Sequence, residues 1–415
     1  MRWSPLPTIV RQILPALAAV CFLLTSVTGL HFSSSRLSDF AGYYTAAKVV
    51  ANGEPTERLY DDSWFQTQLR SFGMDEPTIV MFVNPPATSF FLLGLQWLSP
   101  FTAKLVWDCF SILLALGGGV ILIRIMEIPK SSGYRSLIVL FCTGTLPFLR
   151  NIQLGQVYVV MSFLFIVMFW SYRERKPLLT AILLSIMLFV KLYGWMFLIL
   201  FAAQKRWKEL GYSALLLLGW FVATLPIFGV DAYGLQLKQI GTMQSGSALT
   251  STALRSIAAP ISRMFSYDPA FNPGAVAHLP FLQTLVPLLL VILGLWVTLR
   301  QARKDEMLAF AIIVVLSVLF TPLAADHHYQ ILILPAVVLV AMVEWKKLNT
   351  LRTISYGILI YCLFGWLPGL PEFCTQSWGS FLAYPRVAGA VVLCYLLMRS
   401  LNSSPPISTT SANVQ

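Results

Sequence analysis

The feature that most constrains this chain is a succession of long apolar runs, separated by short connections in which basic residues stand singly or in threes. A bilayer core takes about 20 apolar helical residues per crossing, and such runs fill most of the 415 residues. The chain is 57% hydrophobic and 11% charged, with mean hydropathy +0.72, whereas a soluble domain carries about 25% charged residues. Soluble multidomain folds, disordered chains, collagen-like fibres and secreted disulfide scaffolds are thereby excluded. What remains is an all-α polytopic membrane protein.

Apolar periodicity places crossings at roughly 9–30, 105–125, 135–150, 155–172, 177–190, 192–204, 210–229, 281–299, 307–323, 329–344, 353–369 and 381–399, about twelve in all. The run from Pro85 to Leu98 is too short to span and reads as re-entrant or interfacial. With the N-terminus cytoplasmic, alternate connections hold 18 of the 29 Lys and Arg against six acids, a net of +12. The remaining 11 basic and 12 acidic residues give −1. This asymmetry follows the positive-inside rule and puts both termini in the cytoplasm. The formal charge of +11 therefore reports orientation; no basic patch tracks a phosphate backbone, so nucleic acid is not an expected partner. The run Ile9–Leu30, behind Arg2 and Arg11, is long enough to be an uncleaved first helix.

One transmembrane domain is expected over 1–401, followed by a Ser/Thr/Pro-rich tail, 402–415, of disordered composition. Two long connections face outward. The first, 31–83, contains DFAGYYTAAKVVANG, whose apolar spacing predicts an amphipathic surface helix from Phe40 to Val50, ended by Gly53. The second, 230–280, is Gly/Ser-rich and reads as a flexible cap. Five cysteines lie in apolar runs and Cys374 stands alone, with no CxxC, so neither metal nor disulfide chemistry is indicated. The glycines Gly117–Gly119 sit in mid-membrane, where they permit close helix packing. Lys104 and Asp108, four residues apart, can satisfy each other. No internal repeat and no phosphate-cradling glycine loop is present.

Charge near hydrocarbon costs several kcal/mol unless paired or hydrated, so the few boundary polar residues carry the information. Most fall on the outer side: Asp39, Asn84, Arg150, Gln156, Lys191, Asp326, His327 and His328. Asp39 has two readings, a helix cap together with Ser38 or a general base partly desolvated by Phe40, Tyr43 and Tyr44. Lys191, in LLSIMLFVKLYGWMFLILF, and Arg150 both end short apolar helices, a placement that suits an anion such as phosphate. Three consecutive residues, Asp326, His327 and His328, cannot converge on one ion without further ligands, so hydrogen bonding from an imidazole to a phosphate or sugar hydroxyl is the more economical use. Neither a metal nor another cofactor is expected. His31 and His278 carry no assigned role. A secondary transporter or flippase would collect polar residues near the midplane and in both halves of a repeat; here they gather at one face.

These segments, SDFAGYYTAAKVVANGEPTERLYD, NPPATSFFLLGLQWLSP, NIQLGQVYVVMSFL, the lysine run and FTPLAADHHYQILILPAV, occur in an order and spacing over roughly residues 9–345 that resembles the polyprenyl-phosphate-sugar glycosyltransferases of the mycobacterial mannosyltransferase type, glycosyltransferase family 87. The resemblance implies a GT-C-like bundle with outer-face amphipathic helices in a bacterial inner (plasma) membrane, its active site on the periplasmic or extracellular side. It implies Asp39 as catalytic base, with Lys191 and His327 or His328 on the donor phosphate. Arg150 joins them as a further cation, and Tyr43, Tyr44, Asn84, Gln156 and Asp326 stand as substrate-binding candidates. The implied partners are a polyprenyl-phosphate-linked sugar donor, a lipid or glycan acceptor and the surrounding membrane lipids. The implied reaction is a metal-independent single displacement with inversion. Two departures, the proline pair after Asn84 in place of a commoner tyrosine and TPLAA in place of a segment with serine and tryptophan, leave the sugar and acceptor open.

Overall fold

A computed structural model describes residues 6–75, 84–245, 247–251, 253–269, 272–343, 350–367 and 377–403. Nearly all of the expected tail lies outside the described residues, as do 76–83 at the end of the first long connection and parts of the second. Among the described residues β structure is confined to two isolated bridges; everything else that is regular is helix.

Helix α1 (Thr8–Ser33) is 26 residues long and matches the first expected crossing. At 1.5 Å per residue it measures about 39 Å, enough to cross the hydrocarbon with some tilt. Its lipid side exposes Ile9, Ile13, Leu17, Val20, Leu24 and Val27, while Ala18, Thr25, Ser26, Gly29 and Ser33 are buried. Small residues on the inner stripe let a neighbouring backbone approach, the usual basis of helix association in lipid: a Cβ on Gly29 would fall 2.6 Å from Ile152. The Thr25 hydroxyl donates to the Thr143 carbonyl at 2.6 Å across the same contact.

Helix α2 (Phe40–Ala51) begins and ends within a residue of its expected bounds, and Gly53 terminates it at φ 67°. It is not a half-exposed interfacial helix, however. Phe40 to Ala47 and Val49 are all buried, because the 3-10 helical segment Pro86–Leu95 and helix α3 (Asp62–Ser71) pack over it. That 3-10 segment is the run expected not to span, and its ten residues of about 2.0 Å rise each fall well short of a bilayer.

Helix α4 (Pro100–Ile125) is a second long crossing, capped by the Ser99 hydroxyl. On its inner face Lys104 Nζ donates to Asp108 Oδ2 at 3.1 Å, to the Ser33 hydroxyl at 2.5 Å and to the Ile152 carbonyl at 3.0 Å. The pair anticipated from i,i+4 spacing thus also fastens α1 at Ser33 and the chain at Ile152 to α4. The expected crossing at 135–150 is divided into α5 (Tyr134–Thr143) and α6 (Leu146–Leu154). Thr145 caps α6 and Pro147 occupies its first turn, so the sequence restarts the helix there.

A chain reversal at Gly155 leads into α7 (Tyr158–Arg173), then α8 (Pro177–Lys191) and α9 (Met196–Ala203). Helix α10 (Trp207–Ser245) is kinked at Gly229, φ 66° and ψ 172°. Beyond the kink Ala232 packs with Ala46, Val49, Leu59, Tyr60 and Phe65, so this arm of α10 lies over the first long connection. The second connection, read as a flexible cap, is in fact rich in helix: the arm of α10, the 3-10 turn Ser247–Thr250 and α11 (Ala258–Phe265). Its Gly/Ser composition misled because burial against the helix Leu282–Gln301 and against the first connection supplies what local propensity does not.

Helix α12 (Leu282–Gln301) is lipid-exposed, whereas α13 (Glu306–Leu319) is apolar on all sides and buried along its length. The 3-10 segment Asp326–Leu332 runs into α14 (Ile333–Met342), and α15 (Thr350–Phe364) and α16 (Pro385–Ser403) close the bundle. Among the described residues, five helical stretches are long and apolar enough to cross a membrane, α5 and α6 counted together as one, or six if Ser377–Ala383 and Pro385–Leu401, bent by 71°, cross together. Other apolar helices, α7, α8, α13 and α15 among them, have 10–17 residues. The protein is an all-helical, multi-pass membrane protein whose span-length helices are fewer than the twelve runs expected.

The short helices α7, α8 and α13, of 16, 15 and 14 residues, rise only about 21–24 Å at 1.5 Å per residue. One end of each points toward the basic connections around Arg173, Lys176 and Lys304, and the other ends gather the boundary polar residues.

Candidate functional site

The site is assembled where the beginning of α2, the turn before α7, the end of α8 and the Asp326–Leu332 segment meet. Gly155 makes the first of these contacts possible. It adopts φ 66°, and a Cβ there would lie 2.5 Å from the Phe40 Cβ, so only glycine suits both the left-handed backbone and the approach. The next residue, Gln156, thereby reaches Asp39: its Nε2 donates to Asp39 Oδ2 at 2.7 Å. Ser38, at φ 51°, turns the chain just before. Asp39 occupies the N-cap position of α2, yet its side chain makes no capping hydrogen bond.

From Asp39 a hydrogen-bonded array runs in one direction. The carboxylate only accepts, so the Gln156 amide nitrogen faces it and the Gln156 carbonyl faces the other way. Tyr43 Oη donates to that Oε1 at 2.8 Å. The phenol oxygen then has its lone pairs for a cation, and Lys191 Nζ donates to it at 2.7 Å and to Asn84 Oδ1 at 2.6 Å. The ammonium also sits 5.1 and 5.2 Å from the ring centroids of Tyr43 and Tyr158, within cation–π range. Lys191 is held at this point because the Thr88 hydroxyl donates to the carbonyl of Val190 at 2.6 Å, and Asn84 because its own carbonyl accepts from Tyr60 Oη at 2.6 Å.

Burial pushes the Asp39 carboxyl above its ordinary range, opposed by the Gln156 hydrogen bond and the Lys191 charge. Burial, with the nearby Asp39 charge, raises the Tyr43 phenol well above its usual value, so it stays a neutral donor. A carboxylate whose pKa is raised by burial is a better proton acceptor than an exposed one, and here it lies in a partly enclosed site.

The histidines complete the floor. The His328 ring lies 3.8 Å from the Tyr158 ring, centroid to centroid, and the His327 ring 5.1 Å from it. His328 Nδ1 accepts from the Ala325 backbone N–H at 3.0 Å, so in the neutral imidazole the proton is on Nε2. Asn151 fixes the segment from the α6 side: its Nδ2 donates to the His327 carbonyl at 2.9 Å and its Oδ1 accepts from the Tyr158 N–H at 3.2 Å.

Six expected residues, Asp39, Tyr43, Asn84, Gln156, Lys191 and His328, are thus joined directly or through one aromatic ring, with His327 beside them. The others are engaged elsewhere. Tyr44 Oη donates to the carbonyls of Leu98 at 2.6 Å and Gln96 at 3.2 Å, away from the array. Arg150 is exposed at the end of α6 and bonds Gln153 at 3.0 Å. Asp326 Oδ1 receives two guanidinium groups, Arg386 Nε at 2.7 Å and Arg255 Nε at 3.0 Å. Sequence reading passed over Tyr158 and Arg386. Tyr158 opens an apolar run and looks like core. Arg386, directly after Pro385 at the head of the last run, is an isolated boundary charge of the kind used to find Lys191. Among the described residues no three His, Cys, Asp or Glu side chains converge as a metal site.

A model of glycosyltransferase family 87 matches residues 82–322. No curated protein and no solved structure matches the chain. The matched region is more than half of the chain and contains Asn84, Gln156 and Lys191, while Asp39, Tyr43 and the histidine pair flank it. The chain belongs to glycosyltransferase family 87 and is a membrane glycosyltransferase.

Proposed function

We propose that this family 87 glycosyltransferase transfers a sugar, mannose or a close relative, from a polyprenyl-phosphate donor to a lipid or glycan acceptor, with inversion and without a metal. The single observation that supports this best is the directional array from Asp39 through Gln156 and Tyr43 to Lys191. It sets a base and a cation at opposite ends of one rigid frame, as a displacement at a glycosyl phosphate requires. In this reading the acceptor hydroxyl attacks the anomeric carbon while Asp39 takes its proton. The bond from that carbon to the phosphate oxygen breaks with its electron pair going to the phosphate, which stays on the prenyl lipid. Lys191 and the Nε2–H of His328, with His327 alongside, meet the developing charge. A lipid monophosphate leaves with less charge than a nucleotide diphosphate, so protein cations suffice.

The proposed architecture is a GT-C-like bundle of about twelve crossings, in which the short helices cross only because other helices rather than lipid surround them. Its orientation follows from the charges. The ends of α7 and α8 that carry the site lie opposite their basic ends at Arg173 and Lys176, which, under the positive-inside rule, supports a site on the periplasmic or extracellular side of the plasma membrane. Tyr44, Arg150 and Asp326 support the site at a distance in this reading.

The test is transfer by purified protein in nanodiscs, with radiolabelled polyprenyl-phosphate-mannose, a host lipid extract, and Asp39→Asn and excess EDTA as parallel arms. Transfer that survives EDTA and is lost in Asp39→Asn supports the proposal. Transfer retained by Asp39→Asn overturns the base, and loss with EDTA overturns metal independence.

A further inference from the structure

Arg255, in the second long connection, holds the Asp326–Leu332 segment from both sides. Before the histidines, its backbone N–H donates to the Ala324 carbonyl at 2.5 Å and its guanidinium Nε to Asp326 Oδ1 at 3.0 Å. After them, its carbonyl accepts from Tyr329 Oη at 2.8 Å. An isolated antiparallel bridge between Leu254 and Ala325 runs alongside. One residue therefore brackets His327 and His328 at three points.

Asp326 receives a second guanidinium on the same oxygen, from Arg386 at the start of α16. The Arg386 side chain is 1% exposed and also donates to the carbonyls of Leu363 at 2.6 Å and Gly365 at 2.8 Å, which end α15. Two cations on one partly buried carboxylate, each tied to a different part of the chain, leave the segment little freedom. The same segment supplies Ala325, whose N–H fixes the His328 tautomer.

We infer that Arg255 and Arg386 are positioning residues for the histidine pair: through Asp326 they hold the His328 imidazole with its Nε2–H toward the site. The inference takes the phosphate-binding role of His328 from the proposed function, and adds that the second long connection, not α13 or α14 alone, sets the pose of that ring.

The test uses full-length protein in nanodiscs, with Arg255→Met, Asp326→Asn, Arg386→Met and the conservative Arg255→Lys, and two readouts. The first is 15N spectroscopy of labelled histidine, which is tractable because the chain has four histidines, with His327→Gln and His328→Gln providing assignments. The wild type should show a single Nε2–H tautomer for His328, and Arg255→Met and Asp326→Asn a mixture, with partial restoration in Arg255→Lys. The second is the KM for radiolabelled polyprenyl-phosphate-mannose, expected to rise about 10- to 150-fold in the same variants while the acceptor KM stays put, the fold-change that corresponds to one charged hydrogen bond. Arg255→Met added to His328→Gln should raise it no further. An unchanged His328 signal in folded Asp326→Asn and Arg255→Met overturns the inference. A shifted tautomer with no change in donor KM, in these variants and in His328→Gln alike, upholds the positioning and instead refutes the phosphate role of the histidine. Should Arg386→Met fail to fold, Asp326→Asn, which preserves shape, still decides.

Discussion

Tyr43→Phe removes one oxygen and leaves the ring, so it isolates the contribution of the array from packing. The lost hydroxyl donates to Gln156 at 2.8 Å and accepts from Lys191 at 2.7 Å. Gln156 is 5% exposed, so its carbonyl oxygen would be stranded at a cost of about 1–3 kcal/mol, and Lys191 would lose a charged hydrogen bond of about 1.5–3 kcal/mol. The cation–π contact of Lys191 with the ring persists. Part of this cost is relieved by rotation of the Gln156 amide, which then no longer presents Nε2 squarely to Asp39. A loss of about 1.4–2.8 kcal/mol in transition-state stabilisation corresponds to a fall of roughly 10- to 100-fold in kcat/KM. The pH profile carries a second signature. The Gln156 N–H stabilises the ionised carboxylate, so weakening it raises the Asp39 pKa further, and the acid limb of activity should move to higher pH. Transfer rates across pH in nanodiscs, with thermal unfolding as a control for folding, measure both. Wild-type kcat/KM with an unmoved acid limb in Tyr43→Phe would refute the idea that the array acts as a unit.

In the wild type, burial holds the Asp39 carboxyl above its ordinary range; a base works only when ionised, so activity should fall as pH drops through that raised value, and an acid limb at or below the usual carboxylate range would contradict the assignment. Gly155→Ala adds a Cβ 2.5 Å from Phe40 Cβ at a left-handed residue, and should cost about 1–3 kcal/mol of stability through overpacking alone, with activity reduced further because Gln156 is displaced from Asp39; wild-type melting and rate together would rule this out. Lys104→Met leaves Asp108 as an uncompensated buried charge and should destabilise by about 3–5 kcal/mol, whereas Lys104→Met combined with Asp108→Leu should recover most of that, as read by thermal or denaturant unfolding in detergent.

Sequence alone led to much of the site because charge is scarce in hydrocarbon and every exception is informative. Asp39, Lys191 and the histidine pair stood out for that reason. The roles of Tyr43 and Gln156 were less legible, since their bond spans more than a hundred residues and no local pattern records it. Tyr44 and Asp326 were equally hard to place: position along the chain showed their depth but not that their side chains turn to the Leu98 carbonyl and to two guanidinium groups. Residue spacing also gave nearly every helix, with the bounds of α8 predicted to one residue. It did not show that α2 would be buried, because the segments that cover it come from elsewhere in the chain. Nor did it show that the backbone of Arg255, in the Gly/Ser-rich stretch, would be bound to Ala324 and Tyr329 on either side of the histidines.

The brevity of α7, α8 and α13 bears on how substrate arrives. In the proposed orientation, helices that rise about 21–24 Å within a hydrocarbon layer of about 30 Å leave the site in a basin below the headgroup plane. A free sugar phosphate would have to shed its hydration to descend into that basin. In that reading a sugar hung on a membrane lipid enters sideways, its phosphate descending between the surrounding helices to the ends of the short ones. Bilayer thickness thus becomes a kinetic variable of this protein, and acyl-chain length in the surrounding lipid should tune turnover without any change in the residues that carry the chemistry.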